Sequence, residues 1–428
     1  MNPSRPRFAL SIALLLSAAS GELAPGAEPA LVLRPDRVFL GGGEPLETGW
    51  VVVVRGDKIQ ALGPPAEVEI PPDARSIELP GATLLPGLID AHTHVMLHPY
   101  DETSWEDQVL REPLALRTAR AVNHLKATLD SGFTTIRDLG TEGAGYADVG
   151  LRAAVERGIV PGPRLLATTR AIVATGSYAP NGFAPELAIP QGAEEADGVD
   201  PLIRVVRDQI GKGADWIKVY ADAAMGGREV RPSFTLAELR TIVETANANG
   251  VKVAAHAVSR EGMRRAALAK VSTIEHGDEG DAEVFRIMAE NGVAYCPTLA
   301  AAEAMSRYAG WKPGDPEPER LARVKQAVVA ARKAGVVIAN GSDMGVFAHG
   351  QGVRELELLA ETGIAPAEVL EIATTRTARV LGLDTTLGRL APTLKADLIA
   401  VEGDPTRDLK SLRKIRLVVK NGVIATGG

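Results

Sequence analysis

The spacing of apolar positions changes character twice along the chain. After residue 30, "ALVLRPDRVFLGGG", "GWVVVVRGDKIQALG" and "RSIELPGATLLPG" are short β-branched runs closed by Gly and Pro, and they read as strands of a small sheet. The same grammar returns near the C-terminus in "LGRLAPTLKADLIAVEG" and "IRLVVKNGVIATG", where Asn421-Gly422 is a tight hairpin signal. Between these ends, apolar strands at about 84–91, 134–139, 164–172, 216–221, 251–256, 273–276, 293–298 and 336–341 alternate with segments of helical period. "PLALRTARAVNHLKATLDSG", "TLAELRTIVETANANG", "SREGMRRAALAKV" and "ERLARVKQAVVAARKAG" are the clearest helices. Eight strands separated by helices predict an α/β chain with a (β/α)8 TIM barrel over residues 86–387. The terminal strands predict a small β-sandwich assembled from residues 31–85 and 388–428.

The first twenty residues follow another pattern. "MNPSRPR" carries two arginines, "FALSIALLLSAAS" is an apolar run too short to span a bilayer, and Ala18 and Ser20 sit at the offsets that favour cleavage before Gly21. Residues 1–20 are therefore expected to be a signal peptide, with a retained anchor as the alternative, and the mature protein to be periplasmic or secreted. No later stretch is long enough to be an integral membrane span. The single cysteine, Cys296, rules out an intrachain disulfide; in "AYCPTL" it reads as a buried strand residue rather than a nucleophile.

With 428 residues, 45% hydrophobic content and no low-complexity tract, the chain can bury a large core. A net charge of −7 offers no basic stripe for nucleic acid or for an anionic membrane. No GxGxxG loop follows a strand, which counts against nucleotide binding. A small-molecule substrate is the partner that remains.

The chemistry lies at the strand ends. His92 and His94 end the first barrel strand, and Lys218, His256, His276 and Asp343 stand near the ends of the fourth, fifth, sixth and eighth. In a barrel those ends converge on one face. Each residue taken singly is more often a hydrogen-bonded core group, but six buried together would each need a partner. Alternate strand residues project to the same side, so His92 and His94 can grip one ion while Thr93 points away. Imidazole favours a transition metal over magnesium or calcium.

"GLIDAHTHV", "GFTTIRDLG", "GADWIKVYA", "VAAHAVS", "STIEHG", "ANGSDMG" and the C-terminal segment from "LGRLAPTLKADLIAVEG" onward together resemble the amidohydrolase superfamily, in its prolidase-like and imidazolonepropionase-like branch. That resemblance implies two divalent metals, zinc first among them. His92, His94 and Asp343 would hold the more buried ion, His256 and His276 the more exposed one, and Lys218 would bridge both as an N-carboxylated side chain. It implies amide hydrolysis by a metal-bridging hydroxide, with Asp343 as general acid and base and with Lys218 serving the catalytic centre as the bridge. Homo-oligomers, up to an octamer, are also in keeping with the superfamily.

Substrate is less legible. The prolidase-like branch has a "TGGHG" type segment after strand three and often a tyrosine two residues beyond the strand-five histidine; this chain has "TGSYAP", with Tyr178, and Val258. Both departures weaken an Xaa-Pro dipeptidase reading. The long loop at 174–198 is expected to be a lid or a pocket wall, a passive excursion being the alternative. It looks like the subgroup that cleaves ochratoxin-type N-acyl amino acids, and Phe183, Pro185 and Leu187 would line an apolar pocket there. Tyr178 would then be a polar donor or a packing residue. His98 and His349 are expected near the ligands or in the pocket, and His124 to be structural. The expected function is hydrolysis of N-acyl amino acids or dipeptides. A cyclic-amide hydrolase or deaminase is the alternative, and a non-catalytic exported binding protein the remote one.

Overall fold

The computed structural model describes residues 29–184 and 186–427, so the expected signal peptide and Pro185 lie outside the described residues. The two terminal β-regions hydrogen-bond into one eight-stranded sheet instead of two separate ones. Its main path runs Val423–Gly427, Ile415–Lys420, Leu398–Glu402, Arg75–Pro86, Leu31–Val38, Val51–Arg55, Lys58–Gly63. Arg75–Pro86 is the seam: it lies parallel to Leu31–Val38 and antiparallel to Leu398–Glu402. One apolar cluster draws on both ends, with Leu33, Val52 and Leu84 beside Leu398, Ala400 and Leu417. A bridge between Lys58 and Lys395 brings the far edge back to the C-terminal segment.

The seam ends at Pro86 and the first strand of the larger unit starts at Leu88, so the expected strand at 84–91 is divided between two sheets. Gly87 stands at the division, where a Cβ would lie 2.1 Å from the Thr134 Oγ1 of the neighbouring strand. Leu88–Thr93, Phe133–Asp138 and Arg164–Ala167 form one parallel sheet. Ile172–Val173, Trp216–Tyr220, Lys252–Ala257, Thr273–His276 and Ala294–Cys296 follow in parallel in a second. Asp215 N donates to Ala167 O at 2.8 Å and links the two. Most of these strands are buried on both faces, as helix-covered parallel strands must be.

Three expected strands are shorter than their apolar runs suggest, the seventh keeping only Ala294–Cys296. The third ends at Ala167 and resumes at Ile172, because Thr169 takes a left-handed φ of 62° and gives its N–H to Asp148. The eighth is reduced to isolated parallel bridges, Ile338 to Tyr295 and Met344 to Thr93, with Asp343 at φ 64°. Its backbone still makes the neighbouring bonds: Tyr295 N to Val337 O, Ala91 N to Asn340 O and Asp343 N to His92 O, at 2.7–2.8 Å.

Helices Leu114–Asp130, Leu236–Asn247, Arg260–Leu268 and Glu319–Lys333 stand where the periodic segments place them. Thr235 and Glu238 form a capping box at the second of these, and Ser259 caps the third. Parallel strands alternating with helices make a TIM-barrel-like α/β fold. No helix among the described residues is long and apolar enough to cross a membrane.

Candidate active site

Six side chains from five strands meet at one end of the parallel strands. His92 Nε2 lies 3.5 Å and His94 Nε2 3.3 Å from Asp343 Oδ1. The His92 ring is centred 5.0 Å from that of His276, which is 4.6 Å from His256. Thr93 turns away and bonds the Arg137 carbonyl. Lys218, from Trp216–Tyr220, is fully buried, and among the described residues its Nζ has no hydrogen-bond partner. Ligand atoms of His92, His276 and Asp343 all lie within 4.8 Å of one another.

The Nδ1 atoms of three of these histidines are already engaged, which fixes their rings and leaves Nε2 as the free atom. His92 Nδ1 meets Glu275 Oε2 at 2.9 Å, His94 Nδ1 the Gly140 carbonyl at 2.9 Å, and His276 Nδ1 the Thr298 hydroxyl at 2.8 Å. Glu275 is in turn held by Arg137 Nη2 at 2.9 Å, and both are fully buried. Asp90 accepts from His92 N, Ser342 N and Ser342 Oγ, tying the first strand to the segment that carries Asp343. Gly341 permits this approach: a Cβ there would lie 2.3 Å from Cys296 Sγ and 2.8 Å from His92 Cβ. Glu275, Arg137 and Thr298 were not singled out from sequence, although a glutamate inside "TIEHG" is itself an unexpected residue for a buried strand. Cys296 is buried as expected, and burial pushes its thiol well up.

Burial, with the Lys218 charge, brings His92 down to about 4, and burial likewise holds His256 and His276 well below the usual histidine range. Neutral imidazole is the ligating form. Burial also lowers Lys218, moving it toward the neutral amine. His94 behaves differently: burial opposes its charge, yet its hydrogen bond to Asp343 lifts it to about 9. Free Nε2 atoms, a buried carboxylate oxygen and an unpartnered buried amine form a donor set that fits divalent metal.

Beside this cup lies a cavity of about 710 Å³ whose walls include Trp105, Tyr178, Tyr220, His256, Val258 and Arg320. Tyr220 stacks on His256 with centroids 4.5 Å apart. Its hydroxyl donates to Tyr178 at 3.2 Å, and the Tyr178 hydroxyl and Trp105 Nε1 both donate to Glu142 Oε2 at 2.9 Å. The start of the long loop, including Gly176, Tyr178 and Asn181, thus forms part of a pocket wall. Phe183 and Leu187 do not line it and stay 44% and 59% exposed. His98 is held between Glu102 and Glu112 at 3.1 and 3.0 Å, away from the cavity wall. His349 bonds the Leu97 carbonyl and stacks on His124 at 4.2 Å, so neither of these two histidines reaches the cavity. Trp105, Glu142, Tyr220 and Arg320 carry no motif that sequence reading could have used.

The sequence profile described as "Amidohydrolase family" matches residues 83–425. The chain belongs to the amidohydrolase family. An ochratoxinase of Aspergillus niger is 30% identical over 412 residues, covering 88% of this chain and 82% of the relative. The crystal structure of A. niger ochratoxinase superposes with a TM-score of 0.78 at 27% identity, covering 93% of this chain and 96% of that one. A Xaa-Pro dipeptidase crystallised with methionine in its active site gives a TM-score of 0.82 at 29% identity, over 93% of this chain and all of the other. An imidazolonepropionase of Chromobacterium violaceum is 25% identical over 382 residues, 82% of this chain and 84% of the relative. This amidohydrolase is therefore a hydrolase of carbon–nitrogen bonds, with a small-molecule substrate and with side chains grouped as metal ligands are.

Proposed function

We propose that the protein is a binuclear-metal amidohydrolase that cleaves the amide bond of N-acyl amino acids or dipeptides, aromatic amides of the ochratoxin type among them. The observation that carries this reading is Lys218 Nζ, buried and without a hydrogen-bond partner among the described residues, in a cup where the Nε2 atoms of His92 and His94 converge on Asp343. A buried lysine without a partner is costly as a cation, and reaction of its neutral amine with carbon dioxide yields an anion with two oxygen donors. On this reading His92, His94 and Asp343 would hold one metal, His256 and His276 would hold the other, and Lys218, once carboxylated, would supply oxygen donors to the centre, zinc being the first choice of ion. Bound metal supplies Lewis acidity toward the scissile carbonyl and acidifies water.

The chain's own groups do the rest. Asp343 accepts the proton of the attacking water at its carboxylate and returns it to the departing amine nitrogen. Glu275 and Thr298 fix the rings of His92 and His276. Tyr178, with Trp105 packed edge-on at 5.0 Å, offers an apolar wall with a hydroxyl on it. The likeness to an ochratoxinase and to a Xaa-Pro dipeptidase supports the reaction class. The backbone bonds that run from Leu88–Thr93 round to Asn340 and Asp343 support a closed (β/α)8 barrel, with the terminal sheet as its β-sandwich. Cyclic-amide hydrolysis is the second reading, and the imidazolonepropionase likeness favours it.

Metal analysis tests the centre. The protein should carry about two transition-metal ions per chain and lose turnover on chelation, with recovery on adding zinc and bicarbonate. A chain that holds no such ion, or that stays active after chelation, would contradict the assignment. Export after loss of residues 1–20 and assembly into homo-oligomers are part of the same proposal, checked by N-terminal sequencing and by sedimentation.

A further inference from the structure

The cavity beside the metal cup presents two arginines from one helix, and they are not equivalent. Arg323 is used up at the rim, with its Nη atoms on Glu319 at 2.6 Å and Glu279 at 3.8 Å. Arg320 makes one contact of this kind: its Nε donates to Asp278 Oδ2 at 2.7 Å. Among the described residues its two Nη groups have no hydrogen-bond partner, and the side chain is 46% exposed on the cavity wall. Asp278 follows His276 by two residues, and Asp278, Arg320 and the cup residue His256 line the same cavity. Of the other lining carboxylates, Asp222 is taken by Val258 N, Ser259 N and Ser259 Oγ, and Glu279 faces Arg323. Glu106 is an intermediate-burial residue on the same lining and is the one carboxylate there that faces no such partner.

An arginine held through Nε keeps its planar fork oriented while its two Nη groups stay free, the arrangement that suits a carboxylate. We infer that Arg320 is the anchor for a free carboxylate on the substrate's leaving group, and that Asp278 positions it. The inference rests on the amide-hydrolase reading and narrows it. The preferred substrate is an N-acyl amino acid with its α-carboxylate free, and amino-acid carboxamides and esters are poorer. The apolar body of that amino acid would lie toward Val258 and Tyr220, on the same wall.

Binding separates this inference from the reaction itself. The probe is a ketomethylene isostere of benzoyl-L-phenylalanine, in which –CO–CH2– replaces the amide, prepared as the acid and as the carboxamide. Calorimetry on the metal-loaded wild type should show the acid binding about 10- to 100-fold more tightly, the range of a charge-assisted contact on a partly exposed group. Arg320→Gln should erase that preference, and Arg320→Lys should keep a fraction of it, with melting curves showing that both variants fold. Wild type without an acid preference, or Arg320→Gln that retains it, would overturn the anchor. If wild type prefers the acid isostere through Arg320 yet hydrolyses neither benzoyl-L-phenylalanine nor any dipeptide, the anchor stands and the amidase reading falls.

Discussion

Arg137→Met should cost the fold about 3–5 kcal/mol, the range for removing one partner of a buried ion pair. Arg137 is fully buried, gives Nη2 to Glu275 at 2.9 Å and Nε to the Ala91 carbonyl at 2.7 Å, and lies 4.3 Å over the Trp216 ring. Without it Glu275 is a buried carboxylate that keeps His92, Thr273 and the Cys296 thiol as neighbours but no cation held at full charge. Unfolding entropy of about 2.1 cal/mol/K per residue over roughly 400 residues is about 0.8 kcal/mol/K, so the melting temperature should fall by about 4–6 °C. Arg137→Met combined with Glu275→Leu removes both charges and should recover part of that loss. It should not recover the metal site, because His92 Nδ1 then has no acceptor to orient its ring. Losing such an outer partner should weaken metal binding about 10- to 100-fold. Scanning calorimetry at fixed free zinc reads the first effect and chelator competition the second. A single variant that melts within a degree of wild type, or a double variant with unchanged metal affinity, would refute the reasoning.

Other substitutions probe separate links. Asp343→Asn should bind metal yet lose turnover by orders of magnitude, and retained turnover would remove Asp343 from proton transfer. Lys218→Ala should lower metal occupancy, with partial rescue by a short carboxylic acid; full loading would count against the bridge. Glu355, whose carboxyl burial raises to about 8, accepts from Ala300 N at the start of the helix that Thr298 precedes. Its folded-state pKa exceeds its unfolded one, so its contribution is complete below about 4.5 and is lost as pH rises through 8. Wild type should therefore lose more stability than Glu355→Gln between pH 6 and 9, by a few kcal/mol, and parallel melting curves across that range would refute it.

How far the sequence speaks depends on whether a feature is periodic or relational. That His92 and His94 face one cup follows from the two-residue period of a strand, and the helix at Leu236–Asn247 follows from Thr235 and Glu238 with an apolar stripe behind them. Relations between distant residues leave no such trace. Nothing in "IRD" or "TIEHG" says that Arg137 reaches Glu275 across the strands, or that Thr298 meets His276, because each bond depends on sheet register. Phe183 was read toward the pocket from its apolar character alone, and a loop gives that character no direction. His98 is absorbed by a carboxylate pair, whereas His349 does lie beside a ligand, against the backbone of His94, although it bonds the Leu97 carbonyl and stays out of the cavity. The third strand was overread because the run continues through Thr169, where the backbone turns left-handed to give its N–H to Asp148, and the eighth keeps only isolated bridges at Ile338 and Met344.

Amine release by the zinc-loaded protein tests the central claim most directly. The panel would hold benzoyl-L-phenylalanine, ochratoxin A, Xaa-Pro and other dipeptides, and cyclic amides, each with and without chelator. Zinc-dependent release from N-acyl amino acids or dipeptides, abolished by chelation, is the result expected. Turnover of cyclic amides alone, or release that survives chelation, would contradict it.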